Sequence, residues 1–431
     1  MRSCNIKHDV WTQCSEDGAE SSASFKLQEI FMKITKNMGF GTKAIHAGNR
    51  RNLYGSMGTP IVPAVTYEFD GIDEAEAVFF GRTPGYAYSR GGNPTQTVLE
   101  EKLALLEGGE KCVMTSSGMA AVASCLLTAL RPGDHVISSP VIYGNSHSLI
   151  GEYLTEFGVE ADFIDLSDPG QLKAAIRPNT KMVYLESPGN PLCNICDIEE
   201  ICRSVHEADR DILVVCDNTF ATPYNQNPLQ LGADVVIHSA TKYLNGHGDV
   251  IAGAVIGKAD FIKKVREDAL LHMTGAALGA IESYQILRGL KTFELRMIRH
   301  NENGLAVAQF LEGHPKVRKV YYPGLGSFPG HDVARGQMRG FGGMLAFELK
   351  GGVAAAKQML KACDLCAVAV SLGDAETLIA HGTTMTHDDC SEELLKTIGI
   401  TPDLIRMSIG IENKEDIIAD LTQALDKVTV G

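Results

Sequence analysis

Four short segments carry reactive side chains, three of them at the ends of apolar runs. The first is His-Ser-Ala-Thr-Lys-Tyr at 238–243, where Lys242 comes just after an apolar run, flanked by the hydroxyls of Ser239 and Thr241. Lysine is seldom buried without a partner. A Schiff base with an aldehyde cofactor would remove its permanent charge and fix the cofactor; a solvent-facing lysine at a loop start is the plainer alternative. The second is Cys-Asp-Asn-Thr at 216–219. The apolar run before it puts Asp217 at the mouth of a sheet, where α/β proteins bind ligands. An acid there suits pairing with a protonated pyridine nitrogen, although capping a helix is a common task for aspartate. One crossover separates Asp217 from Lys242, and their joint occurrence favours the cofactor. The third, Thr-Ser-Ser-Gly-Met at 115–119, turns from strand to helix. Backbone N–H groups at such a start bind phosphate, though many helices begin alike. The fourth is Tyr-Ala-Tyr-Ser-Arg-Gly-Gly-Asn-Pro at 86–94, in which Arg90 is either a bidentate phosphate ligand or an ordinary surface arginine.

Alternating helix and strand must position these segments. From about Val98 the pattern predicts a helix over 100–106, a strand over 111–115 and an Ala/Leu helix over 120–130 ended by Arg-Pro-Gly-Asp. Further strands are expected at 135–138, 159–164, 181–186, 212–217, 235–239 and 252–256. Several are almost continuously apolar, as strands buried on both faces of a helix-covered, mostly parallel sheet are. After about Leu290 the character changes: helices are expected at 293–311, 354–361 and 414–428, and strands at 317–322, 343–349 and 404–409. This predicts a smaller α/β domain with an antiparallel-type sheet. The expected division is an extension over 1–37, an N-terminal arm over 38–97, a large domain over 98–292 and a small C-terminal domain over 293–431. Residues 1–37 mix basic and acidic side chains in equal number, unlike a transit peptide, and read as a disordered or loosely attached extension.

Composition bounds the partners. The chain has 431 residues and a net charge of −14, with no long Lys/Arg run. It is therefore a poor fit to nucleic acid or an anionic membrane, and any anionic ligand must be held by a local site. No uncharged apolar stretch is long enough to span a bilayer. With no secretion pattern, the eleven scattered cysteines are expected to stay reduced in the cytoplasm. The Cys-x-x-Cys pairs at 193/196 and 363/366 read as small buried or loop cysteines, not as a metal or redox site.

The ordered motifs Tyr-x-Arg at 88–90, Ser-Gly-Met at 117–119, Glu-Ser-Pro-Gly-Asn-Pro at 186–191, Asp-Asn-Thr at 217–219, Ser-Ala-Thr-Lys at 239–242 and Arg-Met-Ser-Ile-Gly at 406–410 carry a resemblance. From about Met38 to its end the chain resembles the Cys/Met-metabolism family of pyridoxal-phosphate enzymes. The resemblance implies an aminotransferase-like fold of type I and pyridoxal 5'-phosphate as cofactor. It implies an amino-acid substrate and a homo-oligomer built as a dimer of dimers. It also implies roles. Lys242 binds the cofactor aldehyde and shuttles protons. Asp217 pairs with the ring nitrogen, Tyr143 stacks on the ring, and Asn190 sits near the ring hydroxyl. Gly118, Met119, Ser239 and Thr241 hold the phosphate, with Tyr88 and Arg90 reaching the phosphate of a neighbouring subunit. Arg406, with Ser371 beside it, holds the substrate carboxylate.

Within the family, the segments at 272–276, 371–376 and 385–387 look most like the branch that eliminates from methionine. The implied reaction is α,γ-elimination on sulfur amino acids, taking L-methionine to methanethiol, α-ketobutyrate and ammonia. Elimination from cystathionine or homocysteine, or γ-replacement on an activated homoserine, are the alternatives. Two departures bear on the substrate. Asn145 stands where that branch usually has cysteine, and Leu271-His272 where it usually has Lys-Asp. Asn145 is thus a candidate substrate-side residue.

Overall fold

A computed structural model describes residues 34, 37–52, 55–386 and 392–429. Apart from Ile34 and Asn37, the extension expected over 1–37 lies outside the described residues, as does His387. Seven strands form the larger sheet: β1 (Lys111–Thr115), β2 (His135–Ser138), β3 (Glu160–Phe163), β4 (Thr180–Glu186), β5 (Leu213–Asp217), β6 (Val235–Ser239) and β7 (Gly253–Gly257). Their order is β1-β7-β6-β5-β4-β2-β3. Strands β2 to β6 run parallel, while β7 lies antiparallel between β6 and β1. The expected mostly parallel sheet is present, with strand limits within about a residue or two of those read from the sequence.

The apolar runs fill both faces of this sheet by simple alternation. On β4, Met182 and Tyr184 pack to one side with Val136, Val215 and Ile237. Val183 and Leu185 pack to the other with Ile137, Val214 and Cys216. The helix Gly118–Ala129 covers the first face through Ala121, Val122, Cys125 and Leu126. The helix Ile198–Ala208 covers the second through Ile198, Ile201, Cys202 and Val205, an i, i+3, i+4, i+7 stripe. Asp197 caps that helix by accepting from Glu200 N at 3.0 Å. The helix Pro94–Glu107 begins with Asn93 accepting from Thr95 N and ends at Gly108, whose φ of +79° suits glycine.

The second sheet comprises β8 (Val317–Tyr321), β9 (Met344–Leu349), β10 (Ala367–Val368), β11 (Leu378–His381) and β12 (Leu404–Ser408), in the order β10-β11-β12-β9-β8. All its pairings are antiparallel except β10 with β11. Strands β10 and β11 and the π-helix Val265–Thr274 were not read from the sequence. Among the described residues, no helix is long and apolar enough to cross a membrane.

Candidate active site

The adjacent parallel strands β4, β5 and β6 end in polar residues: Glu186, Asp217 and Ser239. Glu186 and Asp217 are register partners across β4 and β5. Burial raises the carboxyl of both, and the Asp217 carboxylate raises that of Glu186 further. The tie is broken by Thr219. Its backbone N–H and its hydroxyl donate to Asp217 Oδ1 at 3.0 and 2.5 Å. The two donors of Thr219 favour the ionised form of Asp217, while burial and the Asp217 carboxylate push the Glu186 carboxyl well above its ordinary range. Asp217 Oδ2 accepts no hydrogen bond from the described residues and faces the cavity. Thr219 Oγ1 also accepts from Ser239 N at 2.9 Å, so one hydroxyl ties the ends of β5 and β6 together.

Lys242 follows β6 by one turn. Its Nζ donates to Ser371 Oγ at 2.9 Å. Burial, and then the guanidinium of Arg406, lower the ammonium from its ordinary range, which favours the neutral, nucleophilic amine. Ser371 itself has φ of +93°, rare for a residue with a side chain. Arg406 lies on β12 and reaches across from the second sheet. Its Nη1 donates to Asn190 Oδ1 at 3.2 Å and its Nη2 to Ser371 O at 3.0 Å. Burial lowers this guanidinium to about 10, so it stays charged at neutral pH.

Tyr143 precedes the short helix Gly144–Ser148 and donates its backbone N–H to Glu186 Oε2 at 2.7 Å. Asn145 Nδ2 donates to the Tyr143 phenol oxygen at 3.2 Å. At the other end, Gly118 opens the helix Gly118–Ala129 with Ser117 capping Ala120 N at 3.0 Å. A Cβ at Gly118 would lie 2.9 Å from Ser239 Cβ, so only glycine lets helix and strand approach there.

Gly118, Met119, Tyr143, Asn145, Asn190, Asp217, Ser239, Thr241, Lys242, Ser371 and Arg406 all line one cavity of about 540 Å³. Tyr88 and Arg90 do not. They line a different cavity of about 1000 Å³ near the π-helix, with the Arg90 guanidinium 5.3 Å from the centre of the Tyr88 ring. Glu186, Thr219 and Phe220 also border the active cavity without having been assigned roles from the sequence. For Glu186 the signal was present: an acid closing the apolar run Met182 to Leu185. Among the described residues no cluster of three His, Cys, Asp or Glu side chains could hold a metal ion. Cys193 and Cys196 are buried and their thiols are pushed up to about 12 by that burial.

The profile of the Cys/Met metabolism PLP-dependent enzymes matches residues 41–426. The chain belongs to this family. Its relatives include the L-methionine gamma-lyase of Fusobacterium nucleatum subsp. polymorphum, 51% identical over 91% of this chain and all of that protein. The L-methionine gamma-lyase of Treponema denticola is 48% identical over 92% of this chain and 99% of that one. Among solved structures, a putative O-acetylhomoserine (thiol)-lyase from Campylobacter jejuni superposes with a TM-score of 0.87 at 34% identity. That match covers 90% of this chain and all of the other, which carries N'-pyridoxyl-lysine-5'-monophosphate.

Pyridoxal phosphate is the family's cofactor, and the donor set of this member fits it. A depressed lysine suits its aldehyde. A buried carboxylate with one unused oxygen suits a pyridine N–H. The start of the helix Gly118–Ala129, with N–H groups that lack intrahelical partners, suits a phosphate. Thr241 adds one constraint. Its hydroxyl donates to Ala252 O at 3.2 Å and accepts from Ala252 N at 3.0 Å. To serve a phosphate it must turn its proton away from Ala252.

Proposed function

We propose that this chain is a pyridoxal-phosphate-dependent carbon–sulfur lyase that catalyses α,γ-elimination, taking L-methionine to methanethiol, α-ketobutyrate and ammonia. The observation that carries the chemistry is the meeting, in one cavity, of the depressed amine of Lys242, the phenol of Tyr143 and the buried guanidinium of Arg406. The substrate comes from the relatives named above.

When bound, the cofactor supplies an aldehyde that condenses with amines and a ring that draws electrons from the substrate α-carbon. Asp217 Oδ2 would accept the ring N–H, and Ser239, Thr241, Gly118 and Met119 would take the phosphate. Tyr143 would stack on the ring, and Asn190 would take the ring hydroxyl. Arg406 binds the substrate carboxylate with its planar fork, at the mouth held by Ser371. Lys242 Nζ, which burial and Arg406 push toward the neutral amine, would accept the α-proton and relay a proton at the β-carbon. Tyr143 Oη donates a proton to the departing sulfur.

Asn145 favours a second reading. A carboxamide that already donates to the phenol offers a donor and an acceptor near the sulfur end. That suits the polar tails of cystathionine or homocysteine. Tyr88 is about half exposed, and neither it nor Arg90 lines the active cavity of its own chain. This supports a dimer of dimers in which they complete a neighbour's phosphate site. The same reading keeps the arm, large-domain and small-domain limits at 38–97, 98–292 and 293–431, and places the enzyme in the cytoplasm. The test is product analysis. Purified protein is given methionine, cystathionine, homocysteine, or O-acetylhomoserine with sulfide. Thiol and keto acid from methionine support elimination; a new thioether or homocysteine, without keto acid, would point to replacement instead.

A further inference from the structure

Glu107 ends the helix Pro94–Glu107, is fully buried and borders no part of the active cavity. Its position is unfavourable for its own helix, because a carboxylate at a helix C-terminus meets the negative end of the dipole. Tertiary partners hold it there. His238 Nε2 lies 2.5 Å from Glu107 Oε1, Asn218 Nδ2 donates to the same oxygen at 2.8 Å, and Asn227 Nδ2 donates to Oε2 at 3.1 Å. Two of these partners are immediate chain neighbours of site residues. Asn218 follows Asp217 at the end of β5, and His238 precedes Ser239 at the end of β6. Asn218 is further locked, its backbone N–H donating to Ile237 O at 3.0 Å and its Nδ2 to Gln226 O at 3.0 Å.

We infer that Glu107 is a positioning residue for the cofactor: by clamping Asn218 and His238 from behind the sheet, it fixes where Asp217 and Ser239 stand against the ring nitrogen and the phosphate. The two carboxyl oxygens take both amide donors, and the His238 Nε2–H in that tautomer, without conflict. An amide does not, since its NH2 would face one of them. Two acceptor oxygens, and not merely the side-chain volume, are what the clamp requires. Side chains that orient a ligating group from behind typically carry 10–100-fold in affinity at metal sites, and the same scale is expected here.

The inference rests on the assignment of Asp217 and Ser239 to the cofactor, and the experiment separates the two. Apoenzyme is titrated with pyridoxal phosphate. The Kd, the visible circular dichroism per bound cofactor and the apoenzyme Tm are measured for wild type, Glu107→Gln, Asp217→Ala and Asp420→Asn. Asp420 is a carboxylate of the C-terminal part that accepts the backbone N–H groups of Asp364, Leu365 and Cys366. Its variant controls for lost stability. Glu107→Gln is expected to raise Kd by roughly tenfold or more and to cut the dichroism per cofactor at least about twofold, whereas Asp420→Asn lowers Tm and leaves both unchanged. If Glu107→Gln lowers Tm while Kd and dichroism match wild type, and Asp217→Ala still weakens binding, the inference is overturned and the site assignment stands. If Asp217→Ala binds as wild type does, the site assignment itself fails. Should Glu107→Gln not fold, Asn218→Ala removes one donor, leaves the carboxylate in place and carries the same expectations.

Discussion

Lys242 Nζ and Ser371 Oγ meet at 2.9 Å although 129 positions separate them in sequence. The contact joins the larger sheet to the loop before β11, and the same loop gives its Ser371 carbonyl to Arg406. The proposed catalytic amine and the proposed carboxylate-binding guanidinium are thus both held by one strained residue.

Lys242→Ala is expected to lose turnover together with the visible absorption of lysine-bound cofactor. Borohydride reduction of wild type followed by peptide mapping should label Lys242. Label on any other lysine would refute the assignment.

Tyr143→Phe removes the proton donor but keeps the ring. Turnover should drop by roughly 10²–10⁴-fold, the usual contribution of a general acid, with the Kd for cofactor changed far less. Steady-state rates beside apoenzyme titration check this; equal losses in both would make Tyr143 only a cofactor ligand.

Asn145→Cys removes the donor to the Tyr143 phenol. Relative kcat/KM should move toward methionine and away from cystathionine and homocysteine. Competition assays with paired substrates measure the ratio, and an unchanged ratio contradicts a specificity role.

Arg90→Ala should weaken cofactor retention. Mixing it with Lys242→Ala subunits should restore activity absent from the Lys242→Ala protein and higher than that of Arg90→Ala alone, because one hybrid site regains both groups. Sedimentation of a fully active monomer would rule the arrangement out.

Lys102 is buried on the helix Pro94–Glu107, where its Nζ donates to Ile45 O at 3.0 Å. Burial, aided by Lys291, lowers its ammonium from 10.5 to about 7. Between those values the unfolded chain holds more protons, so this residue's contribution to stability grows as pH rises from about 7 and is lost as pH falls back through it. Thermal unfolding of wild type and Lys102→Met at pH 7 and pH 9 should show wild type gaining relative to the variant at the higher pH. Parallel shifts would show that Lys102 is not the source.

The strands were legible because β4, β5 and β6 are apolar on both faces, and their polar ends, Asp217 and Ser239, stand out against that background. The direction of β7 was not legible, since an apolar Gly-Ala-Val-Ile run fits either sense. Strand β11, four residues long and fully buried, is too short to show a period. The reactive residues of the cavity were named from local motifs. Their mutual contacts were not, because Arg406 with Asn190 and Asn145 with Tyr143 depend on tertiary approach and side-chain direction. Glu107 gave no sign at all: in sequence it is one more glutamate in a helix.

The upward push on the Glu186 carboxyl bears on how this protein takes up its cofactor. The chain carries a net charge of −14 and the incoming molecule bears an anionic phosphate. Two ionised carboxylates on the cavity floor would add to that repulsion at short range. A proton on Glu186, which its upward shift favours, leaves Asp217 as the one carboxylate charge of that pair. The positive end of the Gly118–Ala129 helix and the charged Arg406 lie on the walls. In an acidic molecule, the cavity thus sets a guanidinium and a helix start against one carboxylate, a local balance that offsets the repulsion an anionic phosphate would meet elsewhere on the chain.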